Sequence, residues 1–165
     1  KPRDWLGAFD GETLAGWTPV GGRAAYRVED TDDGPAIVGQ TVPKTPNTFL
    51  VFDRPLGDFE LLCEVKQDPR LNEGEPRGGV FPLSDAPYAR RAYRPGEWNR
   101  VRILAEGARV RTWINGIPAA DIHDESSRRG HIALQVHDVG AETDPLEVRW
   151  RRLRIRELSP AKSAD

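Results

Sequence analysis

One stretch constrains this chain more than any other: Pro95 to Ile122, PGEWNRVRILAEGARVRTWINGIPAADI. From Arg100 to Glu106 apolar and polar residues alternate, with Val101, Ile103 and Ala105 on one side and Arg100, Arg102 and Leu104 on the other. This is the period of a half-buried strand. Gly107 turns the chain, and from Arg109 to Asn115 the alternation resumes, so that Val110, Thr112 and Ile114 share a face opposite Arg111, Trp113 and Asn115. Asn115-Gly116 predicts a tight hairpin turn because both residues tolerate positive φ, and Ile117 to Ile122 returns as a third strand. Together the three make a β-meander.

The rest of the chain repeats the theme. With 165 residues, 14 Pro and 16 Gly, short alternating runs are cut by turn formers throughout. The length suits one domain over residues 1–165, with a core that needs no disulfide or structural metal. Ala24 to Glu29 and Ala36 to Gly39 read as strands around an Asp30 to Gly34 turn, and Asn47 to Phe52 and Asp58 to Gln67 as two more. Trp17 is expected to cap the core. Cys63, the single cysteine, falls in the apolar series Phe59, Leu61, Cys63, Val65, where burial is expected, and leaves the redox compartment open. In the last strand, Leu146 to Leu158, Val148 and Trp150 have even parity while Leu153 and Ile155 have odd parity. That switch predicts a β-bulge at Arg151-Arg152. The arginines on the opposite face are expected to be solvated and ion-paired.

Charge and pattern also exclude classes. A net charge of −2 gives no reason to expect nucleic acid. No apolar run reaches the roughly 18 residues of a membrane span. The chain begins at Lys1 without a leader pattern, which predicts a trimmed mature form. Glu60 and Glu64 share a strand face but stand about 13 Å apart, too far for an ordinary glycosidase carboxylate pair. The Asp30 to Gly34 acidic turn lacks the spacing of a Ca²⁺ loop, and His123 among Asp121, Asp124 and Glu125 reads as a solvated connection.

Gly130 to His137 carries the candidate chemistry. Ile132, Leu134 and Val136 make its apolar face and leave Gln135 and His137 about 6.6 Å apart on the other. His137 titrates near neutral pH, and on a curved outer face both residues could reach one sugar ring. Trp113, also pointing away from its strand's apolar side, offers a flat platform for a pyranose. His131 shares that strand face with His137 but lies about 20 Å away, too far to share a metal.

Several motifs in order resemble a known family. These are Phe9 to Trp17 (FDGETLAGW), Asp58 to Val65 (DFELLCEV), PGEWN before a strand, W-x-N-G-x-x-x-A-D from Trp113, G-x-I-A-L-Q-x-H from Gly130, and the closing RWRRLRIREL. Together they resemble the 3-keto-disaccharide hydrolase domain. The resemblance implies an all-β, two-sheet antiparallel jelly-roll sandwich, concanavalin A-like, whose concave outer face carries the site. It implies an enzyme that removes the C2 proton of a 3-keto-glycoside, eliminates the C1 substituent and hydrates the product. His137 would serve as base or metal ligand; Gln135, Asn72, Asn115 and Trp113 would bind substrate. A divalent metal polarising the 3-keto oxygen fits that chemistry, although the sequence shows no complete metal site. The resemblance also implies an extracytoplasmic protein.

In that family an Asn like Asn72 precedes a further strand with a carboxylate, and only then comes a turn like Gly78 to Phe81. Here that strand has no counterpart. The preferred reading is that a loop around 72–82 is absent from this sequence, since losing an interior strand would expose sheet edges. Two other functions fit the same sandwich: a non-catalytic carbohydrate-binding module, and a protein-interaction domain. The sugar, its linkage and the oligomeric state are not legible.

Overall fold

In the computed structural model, residues 4–72, 91–125 and 129–158 are described. Ten strands form two antiparallel sheets. They are β1 (Trp17–Gly21), β2 (Ala25–Thr31), β3 (Gly34–Gln40), β4 (Thr48–Phe52), β5 (Phe59–Gln67), β6 (Asn99–Glu106), β7 (Arg109–Ile114), β8 (Ile117–His123), β9 (Ala133–Val136) and β10 (Glu147–Glu157). The larger sheet runs β2-β3-β10-β5-β6-β7-β8 and the smaller β1-β4-β9. The expected two-sheet antiparallel sandwich is therefore the observed fold. Among the described residues no helix is long and apolar enough to cross a membrane.

The meander forms as its alternation dictates. β6 pairs with β7 and β7 with β8, and the turn between the latter two has positive φ at both Asn115 and Gly116. Leu61, Cys63, Val65, Val101, Ile114, Trp150, Leu153 and Ile155 of the larger sheet meet Trp17, Leu50, Phe52, Leu134 and Val136 of the smaller in one core. Trp17 caps that core, with its indole N–H donating to the Ala8 carbonyl at 2.6 Å and its ring 5.1 Å from that of Phe52. The sheets approach closely at Gly39, where an added Cβ would stand 2.5 Å from Val136. Burial pushes the Cys63 thiol up to about 12, helped by the Glu64 charge, so it stays protonated and unreactive at neutral pH.

The bulge in β10 lies where the parity switch puts it. Pairing with β5 shifts between Arg151 and Arg154, and Arg152 takes φ 52°. The shift lets Trp150 and Leu153 both face the core. It also leaves Arg151, Arg152 and Arg154 around the outer face of the larger sheet. The strand expected from Gly130 is shorter than its pattern suggests. The run from Gly130 to His137 is a strand only over Ala133–Val136, since β4, its partner, is itself five residues long. The stretch around 72–82, where the resemblance implies a further strand, lies from residue 73 onward outside the described residues.

Candidate functional site

Three rows of side chains cross the outer face of the larger sheet. Cross-strand register aligns Arg154 of β10 with Leu62 of β5, Leu62 with Arg102 of β6, and Arg102 with Trp113 of β7. Four strands at the usual spacing make that row about 14 Å long. On one side lies the row Arg151, Glu64, Arg100; on the other lies Arg156, Glu60, Leu104, Arg111. A groove of about 720 Å³ opens over the middle row, lined by Leu62, Glu64, Arg100, Arg102, Trp113 and Arg154, with Arg152 and Gly116 at its border.

The guanidinium groups here are held by aromatic rings and carboxylates, as stacked and ion-paired arginines are when water is partly excluded. Arg102 lies 4.5 Å from the centre of the Trp113 ring and 3.0 Å from Glu60. Arg151, only 8% exposed, stacks on Trp98 at 3.9 Å and donates to Glu64 Oε2 at 2.9 Å. Arg154 lies 4.3 Å from the Trp5 ring. Glu60, 6% exposed, is shared by Arg102 and Arg156. Glu64 is likewise shared by two arginines: its Oε2 lies 2.9 Å from Arg151 and 3.2 Å from Arg152, while its Oε1 carries one long contact, 3.4 Å from Arg152. The arginines of this face are ion-paired, as expected, but the expectation that they are solvated is corrected at Arg151, which is buried, as is the carboxylate of Glu60.

Of the residues proposed from sequence, Trp113 lies in this groove and the others do not join it. Gln135 sits on β9, opposite Phe49 of the smaller sheet, and its neighbours Leu134 and Val136 point into the core. His137 follows it, with Nδ1 2.6 Å from the Asp138 carbonyl oxygen. Both thus belong to the far side of the sandwich. A single face gathering Gln135, His137 and Trp113 does not form, because strands with the same alternation fell into different sheets. Asn115 is committed to the hairpin. Its side-chain oxygen accepts from the Arg100 backbone N–H at 2.8 Å, and its amide donates to the Ala92 carbonyl and to Asn99. Asn72 ends a 3-10 turn at Pro69–Asn72, and its side chain lies outside what is described.

Among the described residues no three His, Cys, Asp or Glu side chains come together to hold a metal ion. His123 is exposed and meets Glu125 at 3.2 Å, as a solvated connection would. Arg100, Arg102, Arg154, Trp5 and Trp98 are the site residues a strand-by-strand reading misses. Alternation already put Arg100 and Arg102 on one face. Their meeting with Arg154 depends on the β10-β5-β6 order, which no local pattern encodes.

A family model described as the 3-keto-alpha-glucoside-1,2-lyase-like domain matches residues 4–81 and 71–156. The two matched segments overlap at 71–81, within the stretch where a strand was expected. Solved structures agree on the sandwich. A candidate glycosyl hydrolase from Parabacteroides distasonis aligns with TM-score 0.63 at 17% identity, covering 94% of each chain. Carbohydrate binding module CBM66 from Bacillus subtilis aligns with TM-score 0.55 at 17% identity, over 88% of this chain and 98% of its own. A Bacillus subtilis protein of galectin-like fold gives TM-score 0.57 at 11% identity, over 97% and 99%. No curated protein matches the chain.

Proposed function

Since this chain belongs to the 3-keto-alpha-glucoside-1,2-lyase-like domain family, its function is carbohydrate-related, and we propose that it cleaves 3-keto-glycosides in the groove over Leu62, Arg102 and Trp113. The observation that carries this reading is the combination of an aromatic platform, a fixed guanidinium and a carboxylate with one weakly engaged oxygen, Glu64 Oε1, within a single groove. A ketone at C3 acidifies the proton on C2, so a carboxylate suffices as base. Glu64 takes that proton at Oε1, and the electron pair passes to the C3 oxygen as an enolate. Arg102, kept in place by Glu60 and by the Trp113 ring, stabilises the enolate charge without having to reorganise. Collapse of the enolate restores the C3 carbonyl, forms the C1–C2 double bond and breaks the C1–O bond. The departing oxygen takes up the proton Glu64 removed. Water adding at C1, with a proton returning to C2, completes a net hydrolysis; stopping before it gives a lyase.

A second reading, a carbohydrate-binding module without turnover, is favoured by a different observation. The chain has three histidines, His123, His131 and His137, and none lines the groove. Turnover of a 3-keto-disaccharide beside its unoxidised parent separates the two. Sugar released from the keto form alone, and lost in Glu64→Gln, supports the enzyme. Binding of both sugars with release from neither supports the module.

A further inference from the structure

The groove holds more positive charge than a neutral sugar calls for. Nearly every arginine on the strands of the larger sheet has a carboxylate partner. Arg27 and Arg149 share Glu29 and Glu147. Arg109 meets Asp121, and Arg111 meets Glu106. Arg151 and Arg152 meet Glu64, and Arg102 and Arg156 meet Glu60. Arg100 and Arg154 are the exceptions: among the described residues neither has an ion pair, and both line the groove. Lys66 of β5 also has no ion pair among the described residues but lies outside the groove, so it is the unpaired arginines of this sheet that gather where a ligand would lie.

These two arginines are also well placed relative to each other. They stand on β6 and β10 with β5 between them, offset by one residue pair, which puts their Cα atoms about 12 Å apart. Side chains of arginine length can close that gap onto one small group. Arg154 is oriented by the Trp5 ring at 4.3 Å, which leaves its N–H fork free of competing carboxylates. A planar fork of donors matches an oxyanion better than it matches a hydroxyl, and a pair of forks matches it better still.

The geometry points to a saccharide bearing an oxyanion substituent, a uronic-acid carboxylate or a sulfate ester, as the ligand of this groove, received by Arg100 and Arg154. The inference rests on the reading of the groove as the sugar site, and names the substrate class that reading leaves open. Trp113 and Arg102 take the ring, and the charged substituent lies toward β10.

Calorimetric titration of the full chain tests it, with a neutral disaccharide, the same disaccharide carrying a uronic acid, and its sulfate ester. The wild-type protein is expected to bind at least one charged sugar about tenfold or more tighter than the neutral one at low salt, as charge-assisted bonds to a fork of donors allow. High salt should shrink that margin. In the Arg100→Ala/Arg154→Ala double variant the ratio should fall to about one, and in Arg100→Lys/Arg154→Lys part of it should survive. Which charged sugar binds tighter identifies the oxyanion. Equal affinity for all three sugars in the wild type, or a preference that persists in the alanine variant, overturns the inference while leaving the groove as a sugar site. Absence of binding by any of them overturns the inference, and turnover of a 3-keto-disaccharide then decides separately whether the groove is a sugar site.

Discussion

The two outer faces of the sandwich share one strand period and little else. On the larger sheet the outward positions include Glu60, Leu62, Glu64, Lys66, Arg100, Arg102, Leu104, Arg111, Trp113, Arg149, Arg151, Arg154 and Arg156, largely a lattice of cations, carboxylates and rings. On the smaller sheet they are Thr18, Val20, Phe49, Val51, Ala133 and Gln135, almost without charge. Both faces satisfy the same burial rule inward, so folding alone does not require them to differ. Holding guanidinium groups side by side needs compensating carboxylates and rings to offset their repulsion and desolvation. A face that carries that arrangement beside an open groove is where recognition is to be sought, and a face of apolar side chains with one amide is a weaker candidate for sugar chemistry.

The largest expected effect falls on the charged face. Glu64→Gln keeps the acceptor for Arg151 but removes the base, and turnover of a 3-keto-disaccharide should drop by about 10²- to 10⁴-fold. A melting temperature close to wild type would confirm that the loss is chemical, and retained turnover would remove Glu64 from the mechanism. Next in size is a change where the faces are held apart. Gly39→Ala puts a Cβ 2.5 Å from Val136 and 3.2 Å from both Trp150 and Tyr26. It should cost about 1–3 kcal/mol of unfolding free energy in denaturant titration. Trp113→Ala follows, weakening sugar binding by about tenfold through lost stacking area. An unchanged affinity would place the sugar elsewhere than over the β6-β7 row.

Acid sharpens the contrast further, by a smaller amount. Arg149 beside Glu29 and Arg109 beside Asp121 hold these carboxyls below their ordinary values of 4.5 and 3.8. A depressed folded pKa means stability that is complete above the unfolded value and is lost as pH falls through the folded one. Melting temperature should therefore decline as pH drops below about 4.5, and added salt should blunt the decline because both pairs are exposed. A flat profile would show that these pairs contribute nothing measurable.

Legibility followed the range of the interactions. Strand periods, the Asn115-Gly116 turn, burial of Cys63 and even the Arg151-Arg152 bulge are written locally, in alternation and in a parity switch between Trp150 and Leu153. Sheet membership is not. Gln135 and Trp113 each point away from an apolar strand face, and that pattern is the same whichever sheet the strand joins. Placing β9 beside β4, and β10 between β3 and β5, needs pairings between residues far apart in sequence, as Phe49 with Gln135, Glu64 with Arg151 and Ile37 with Trp150 show. The groove's arginines are invisible for the same reason. Alone on a strand, Arg154 reads as a solvated charge; beside Leu62 and Arg102 it borders a site.

His137→Ala is the smallest effect and the one that cuts deepest into the comparison. A histidine two residues from an amide, on the polar side of a strand, has the outward marks of a general base. Its position argues otherwise. His137 leaves the end of β9 in the smaller sheet, and its ring meets the Asp138 carbonyl oxygen at 2.6 Å. The loop that follows is tied to the β3-β4 connection, where the Asp138 N–H donates to Asn47 and the Lys44 N–H donates to the Gly140 carbonyl. Removing the imidazole should leave turnover of a 3-keto-disaccharide and affinity for sugar within about twofold of wild type, with a stability loss no larger than one hydrogen bond, about 1 kcal/mol. A loss of turnover comparable to that of Glu64→Gln would move the chemistry across the sandwich, make the apolar face the functional one, and leave the arginine lattice as a device for holding seven strands together.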